Sequence, residues 1–131
     1  MAEAILRNIS KANYIVNSAG TSPSSVNTYT KRVLTELGIT TNNLSSKSIN
    51  GFLKKKIDLV VTVCDLAKET CPFFPEARLT LHKSFQDPSS LSGTDEEVMS
   101  GFRLVRDEIM DWIISDIDEI LYGLHNDSKF D

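Results

Sequence analysis

Apolar and polar positions along the chain alternate with two periods, one typical of helices and one of strands. Apolar residues share one helical face in Met1–Ser10 and again in Val26–Leu37, and Gly38 stands where a helix C-cap belongs. Thr94–Glu97 fits a capping box. Apolar residues follow it at helical spacing as far as Gly123, which is the predicted end of the last helix.

Three segments have the composition of strands: Tyr14–Ser18, Asp58–Val63 and Arg78–Phe85. The second is almost continuously apolar, which is typical of a buried parallel strand. A short helix is predicted around residues 49–55. Helices and strands alternate through the 131 residues, a length suited to one domain. The pattern therefore predicts a single α/β domain, residues 1–131, with a parallel sheet flanked by helices.

Composition narrows the class of protein and the compartment. Of the residues, 40% are apolar and 24% are charged, with a net charge of −4, as in ordinary globular domains. The weakly acidic balance argues against nucleic acid and anionic membranes as partners. No segment approaches the ~20 apolar residues of a membrane span, and no signal-peptide pattern stands at the start. A cytoplasmic location is therefore expected.

The two cysteines are too few for a secreted disulfide scaffold, so they are either plain thiols or a redox pair. Cys64 falls at the carboxyl end of a predicted strand, where a following helix would stabilise its thiolate; the alternative is a buried core thiol. Cys71 lies seven residues on, about 10 Å along a continuous helix, whereas a disulfide needs Cα atoms ~4.4–6.8 Å apart. A bond between them would require residues 65–70 to bend or unwind.

Asp87-Pro88 lies in a loop after the last predicted strand. A carboxyl group there would protonate a leaving oxygen as a general acid, and the alternative is a plain turn, which Asp-Pro favours. His82 and His125 have no partners at metal-ligand spacing, which argues against zinc. The chain contains no glycine-rich phosphate loop, nucleophile elbow or dinucleotide fingerprint.

Six segments keep an order and spacing that extend over nearly the whole chain: Met1–Ala4, Ser18–Gly20, Asp58–Cys64, Cys71-Pro72, Phe85–Pro88 and Phe102–Ile109. In combination they resemble the thioredoxin-coupled arsenate reductases, which have the low-molecular-weight phosphatase fold. The resemblance implies that fold for this chain, with arsenate or a similar oxyanion as substrate and thioredoxin as partner.

The resemblance also implies a role for each candidate site residue. In that family arsenate binds in a Cys-x5-Arg loop whose cysteine attacks arsenic, and the aspartate matched by Asp87 protonates the departing oxygen. Cys64 would attack the cysteine–arsenic adduct and release arsenite. Cys71 would then attack Cys64, and thioredoxin would reduce the resulting disulfide.

A structural potassium ion in some members is bound at positions matched here by Glu3 and Ser18. Lys47 stands at a further ligand position that is acidic in those members, and its ammonium would replace the ion. No other cofactor is implied.

One departure from the family is large. The Cys-x5-Arg loop, which in the family directly precedes the segment matched by Met1–Glu3, is absent, since Thr70 and Ala77 stand six residues after the two cysteines. The chain is therefore interpreted as an N-terminally truncated arsenate reductase domain that lacks the first strand and the phosphate loop. Such a chain is expected to be inactive alone, and to be destabilised, to close its sheet differently or to form a strand-swapped oligomer.

Two other functions stay open. The first is a low-molecular-weight protein-tyrosine phosphatase, although Ser89-Ser90 stand where such enzymes usually carry aromatic residues, and the cysteine pair favours the reductase. The second is a noncatalytic module in which Cys64 and Cys71 act only as a thiol–disulfide switch.

Overall fold

A computed structural model of the chain describes residues 1–10, 14–20, 26–42, 44–45, 47–63 and 73–128. Its main elements are α1 (Ala2–Ser10), α2 (Thr28–Thr35), β1 (Ile57–Thr62), β2 (Ala77–His82), α3 (Asp95–Trp112) and α4 (Asp118–Ser128). Short 3-10 turns occur at Ile49–Gly51 and Pro88–Ser90, and a π-helical segment, Ile113–Ile117, joins α3 to α4.

The two strands pair in parallel, from Ile57 opposite Ala77 to Thr62 opposite His82. The Lys83 amide adds one more rung by donating to the Thr62 carbonyl at 2.9 Å. A parallel sheet flanked by helices confirms the predicted α/β class.

Strand β1 confirms the predicted strand, but it is less buried than the sequence suggested. Only Val60 is buried, while Leu59 and Val61 are half-buried against the core. Asp58 is exposed and pairs with Arg78 at 3.2 Å. Within the described residues only one strand neighbours β1, so its flanks stay partly accessible to solvent.

The prediction of a strand at Tyr14–Ser18 is wrong. The segment is extended without a ladder, and the Ile15 side chain is 97% exposed. A strand forms only where a neighbour takes its backbone hydrogen bonds, and no described strand does so here. The Arg7 guanidinium donates a hydrogen bond to the Val16 carbonyl instead. Just after this segment, the described residues form one isolated parallel bridge, in which Gly20 lies opposite Ser48.

The core lies along one apolar stripe of α3 and the π-helical segment. Helices α1 and α2 pack on this stripe, and the half-buried side chains of β1 and β2 meet it from the sheet. A first cluster contains Ala4, Ile5, Leu34, Ile39, Val105, Ile109, Ile113 and Ile117, and a second contains Val33, Val98, Met99 and Phe102.

Several helix ends agree with the sequence and one does not. Gly38 has a φ of 75° after α2, as the predicted C-cap requires. The Thr94 hydroxyl oxygen accepts from the Glu97 amide at 3.2 Å and caps α3. Gly123 was expected to end the last helix, but α4 continues to Ser128. A glycine within a helix costs only ~1 kcal/mol relative to alanine, which the surrounding turns tolerate.

Arginine side chains of α3 hold α2 in place. The Arg106 side chain, only 10% exposed, donates to the Val33 carbonyl at 2.9 Å and to Glu36 Oε1 at 2.8 Å. Arg103 binds the other Glu36 oxygen at 2.8 Å. The hydrogen bond from Arg103, with a second from Arg106, lowers the pKa of Glu36 below its usual 4.5. One carboxylate therefore pairs with two guanidinium groups at the α2–α3 contact, and Glu96 and Asp107 supply the remaining negative charge.

Replacement of Glu36 should change the pH dependence of folding. Because its pKa is lowered in the folded protein, its contribution to stability is present above pH 4.5 and is lost as the pH falls below that value. Glu36→Gln should be less stable at neutral pH, and its stability should decline less steeply in acid. Urea unfolding across this range, with the exposed Glu108→Gln as control, measures the difference. Parallel pH profiles for wild type and Glu36→Gln would contradict the expectation.

Candidate active site

The candidate site lies at the carboxyl ends of β1 and β2, the edge of a parallel sheet where ligands bind. Val63, the last described residue before Cys64, is 52% exposed. Cys64 and Cys71 themselves lie outside the described residues. The structure therefore brings the chain to the expected edge but describes neither sulfur atom.

Asp87 follows β2 and is exposed at the start of the short turn Pro88–Ser90. Its Oδ1 atom accepts from the Ser89 amide at 2.9 Å and from the Ser89 hydroxyl at 2.7 Å. The Ser90 hydroxyl donates to the Asp87 carbonyl at 3.1 Å. The turn expected from Asp-Pro is thus present, and the carboxyl group that caps it is open to solvent.

Two contacts anchor this segment to α3. Phe85 packs edge-on against Trp112, with ring centroids 5.8 Å apart. Beyond the turn, Leu91 lies so close to Gly101 that a β-carbon there would stand 2.1 Å from Leu91 Cδ1. A larger residue at position 101 would displace the end of the Leu91 side chain, so the chain on both sides of Asp87 contacts the same helix.

An open cleft of about 340 Å³ adjoins the Asp87 turn. Its walls include Ser89 from the turn and Leu91 directly after it, Asn27 at the N-cap of α2, Tyr29 from α2 and Phe102 from α3. The rings of Tyr29 and Phe102 stack with centroids 5.3 Å apart. Space for a bound group therefore exists on the α2 side of the turn.

A chain of hydrogen-bonded side chains at the sheet edge was missed by the sequence reasoning. Thr62 Oγ1 lies 2.8 Å from His82 Nδ1, and His82 Nε2 lies 3.0 Å from Ser84 Oγ. From the sequence, His82 is weighed only as a zinc ligand. The available signal is positional, because Thr62 and His82 both lie towards the carboxyl ends of strands that the sequence predicts, although the second strand ends at His82 and not at the predicted Phe85.

Glu3 and Lys47 do come together, whereas Ser18 is exposed on the segment that precedes the Gly20 bridge. The Glu3 side chain is only 4% exposed, and its Oε1 lies 3.1 Å from Lys47 Nζ. Arg7 Nη2 lies 3.6 Å from the same oxygen. Two cations therefore already surround the buried carboxylate.

Among the described residues, no group of three or more His, Cys, Asp or Glu side chains is placed to hold a metal ion. None of the helices in this part of the chain combines the length and apolar character needed to cross a membrane.

Comparison with known proteins decides the family. The sequence profile described as "Low molecular weight phosphotyrosine protein phosphatase" matches residues 1–124. The chain belongs to the low-molecular-weight phosphotyrosine protein phosphatase family. The fold expected from the resemblance is thereby confirmed.

Curated relatives within this family are named arsenate reductase. One from Halalkalibacterium halodurans is 42% identical over 94 residues, which cover 72% of this chain and 68% of the relative. Another from Bacillus subtilis is 35% identical over 109 residues, covering 83% of this chain and 78% of the relative. A third from Oceanobacillus iheyensis is 35% identical over 113 residues, covering 86% and 81%.

Solved structures agree on the fold of the family. One described as "An arsenate reductase in the phosphate binding state" superposes with a TM-score of 0.75 at 22% identity, covering 91% of this chain and 86% of that chain. Another, described as "An arsenate reductase in reduced state", gives a TM-score of 0.72 with the same identity and coverage.

Two substitutions of Asp87 should show whether the hydrogen bonds of its Oδ1 atom or the charge of its carboxyl group stabilise the turn. Asp87→Ala removes the acceptor of both Ser89 hydrogen bonds and should cost about 0.5–2 kcal/mol, the range for loss of a capping side chain. Asp87→Asn keeps an Oδ1 acceptor and should unfold close to wild type. Urea unfolding and the exchange rate of the Ser89 amide test this. An Asn variant as unstable as the Ala variant would show that the cap depends on charge.

Proposed function

We propose that this chain is an arsenate reductase domain that acts through a cysteine relay. The observation that carries the proposal is its similarity to curated arsenate reductases, with 42% identity over 94 residues in one case. The sequence retains both relay positions, Cys64 and Cys71, together with Asp87. A relative in the fold comparison is described in a phosphate-binding state, which fits a tetrahedral oxyanion as substrate.

The proposed chemistry moves two electrons from thiols to arsenic. A cysteine of a Cys-x5-Arg loop attacks arsenate, and an oxygen leaves as water after Asp87 donates a proton. Cys64 then attacks the sulfur of the adduct; the sulfur–arsenic bond breaks, its electron pair reduces As(V) to As(III), and arsenite leaves. Cys71 attacks Cys64 and frees the first cysteine. The Cys64–Cys71 disulfide is finally reduced by the dithiol of thioredoxin.

These 131 residues contain no Cys-x5-Arg loop, since neither cysteine is followed by arginine six positions later. Residues 1–131 by themselves would therefore supply the proton donor and the relay thiols without the arsenate-binding loop. We propose accordingly that this polypeptide alone does not turn over arsenate. The strand-swapped oligomer stays a prediction.

Phosphotyrosine hydrolysis is less well supported. The cleft next to Asp87 does carry aromatic side chains, Tyr29 and Phe102. Phe102, however, is 2% exposed, and the Tyr29 hydroxyl donates to Asp95. The residues that directly follow Asp-Pro are Ser89 and Ser90, which offer no ring to hold a phenyl phosphate.

The relay predicts a disulfide that thioredoxin can reduce. When the 131-residue chain is oxidised with diamide and mixed with thioredoxin, thioredoxin reductase and NADPH, one NADPH should be consumed per chain. Cys64→Ser and Cys71→Ser should consume none by this route, because neither can form the intramolecular bond. Mass spectrometry after alkylation identifies the bonded pair.

Arsenate provides the second arm of that experiment. It should not increase NADPH consumption by the 131-residue chain, and it should do so when a Cys-x5-Arg segment precedes Met1. An oxidised chain that thioredoxin leaves unreduced would overturn the relay. Sustained release of phosphate from phosphotyrosine by the longer form, without any reductant, would favour the phosphatase.

We also propose that Lys47 replaces the structural potassium ion of related enzymes. Its ammonium lies 3.1 Å from the buried carboxylate of Glu3, so this donor set does not fit an additional cation. Removing the ammonium would leave Arg7, whose Nη2 is 3.6 Å away, as the described side-chain cation paired with the Glu3 carboxylate. A small cation would then have both space and charge to enter.

Lys47→Ala should therefore lower stability and create a response to potassium. The loss should be roughly 1–3 kcal/mol, as for a buried charged group that loses a hydrogen bond. The Tm of the variant should be higher in KCl than in NaCl at equal ionic strength, while wild type should not distinguish the two salts. Lys54→Ala, at an exposed position, is the control. A wild-type protein that KCl stabilises over NaCl would refute the replacement.

A further inference from the structure

His82 connects two parts of the candidate site through both of its ring nitrogens. Nδ1 lies 2.8 Å from the hydroxyl of Thr62, the last residue of β1. Nε2 lies 3.0 Å from the hydroxyl of Ser84, two residues beyond His82 in the segment after β2. Both contacts have the length of a good hydrogen bond. The imidazole therefore bridges the ends of the only two strands described.

The bridge made by His82 lies at the carboxyl end of the two-stranded ladder. Thr62 and His82 form the last paired residues of the ladder, and one further backbone bond follows, from the Lys83 amide to the Thr62 carbonyl. In the sequence Cys64 comes two residues after Thr62, and Asp87 comes three residues after Ser84. The bridge thus stands where the two segments with proposed chemistry leave the sheet.

An imidazole suits this role because its two nitrogens point in different directions, one as donor and one as acceptor in the neutral ring. Each hydroxyl can donate or accept, but the single proton of the Thr62 hydroxyl is donated to the Leu81 carbonyl, so His82 Nδ1 carries the ring proton and Nε2 accepts from Ser84. The Thr62 hydroxyl also reaches the Leu81 carbonyl, at 3.4 Å. The end of β1 is thereby tied to two consecutive residues of β2. Side-chain bonds of this kind add to a ladder whose end would otherwise fray.

We propose that His82 is a positioning residue that holds the end of β1, and the chain that continues to Cys64, in register with the segment leading to Asp87. Its catalytic significance rests on the function proposed above, because only the relay requires the two segments to act together. Because the bridge joins the two segments, a displacement of the end of β1 should also shift His82 and Ser84.

The first test measures the bridge itself by hydrogen exchange of the Lys83 amide in the full chain. Thr62→Val keeps the shape of the side chain and removes the hydroxyl; exchange should become roughly fivefold faster, the equivalent of the ~1 kcal/mol of a typical hydrogen bond. His82→Leu should do the same, while His82→Asn, whose amide can still reach Thr62, should restore much of the protection. Thr80→Val, an exposed threonine on the same sheet, is the matched control.

The second test measures whether oxidation of Cys64 and Cys71 changes the environment of His82 and Ser84. The ring nitrogen resonances of His82 and the amide resonance of Ser84 should move when Cys64 and Cys71 are oxidised to a disulfide. In Thr62→Val the shift at Ser84 should be lost. Unchanged Lys83 exchange in Thr62→Val and His82→Leu would overturn the bridge, and His82 resonances identical in both redox states would overturn the positioning role. Failure of oxidation to join the two cysteines would instead count against the relay, and the exchange data would still decide the bridge.

Discussion

The rest of the structure depends on the register of one apolar stripe along the helical segment from α3 to α4. Ile109, Ile113, Ile117 and Leu121 follow one another at three successive spacings of four residues. A regular α-helix turns about 100° per residue, so it would carry the last of these about 120° away from the first. The π-helical turn at Ile113–Ile117 contains about one residue more than a regular α-helical turn. This extra residue reduces the angle between Ile109 and Leu121 around the helix axis to roughly 20°. Ile113 and Ile117 consequently remain only 2% exposed.

The apolar stripe of α3 and the π-helical segment positions the candidate site through the elements that pack on this helix. It provides the surface on which α1 and the two strands pack, while the arginines of the same helix hold α2. Trp112, at the start of the π turn, supports Phe85 two residues before Asp87. Gly101, three turns earlier, receives Leu91 on the other side of the Asp87 turn. A shift in helical register would therefore displace the candidate proton donor together with the elements that pack on the stripe.

Sequence reasoning succeeded where a pattern is local. The capping residue Thr94, the positive φ of Gly38 and the apolar run that forms β1 each follow from a few neighbouring positions. It failed at Tyr14–Ser18, because β-branched composition does not by itself supply a hydrogen-bonding neighbour. It also missed the π turn and the contacts of His82. The π turn could have been inferred from the apolar residues that repeat at a spacing of four. The contacts of His82 depend on the register between two strands, and no single segment of the sequence contains that information.

The capping role of Asp87 and its proposed role as a proton donor are compatible at the level of atoms. Both hydrogen bonds from Ser89 go to Oδ1, so the cap uses one oxygen of the carboxyl group. A proton carried on Oδ2 would leave Oδ1 free to accept, since a protonated carboxyl keeps acceptor capacity beside its single donor. The turn would then fix the direction in which Oδ2 points while solvent exposure leaves it accessible to an oxyanion. A plain turn and a general acid, which the sequence posed as alternatives, are thus compatible in the same side chain, and the proline that follows restricts the backbone of the turn.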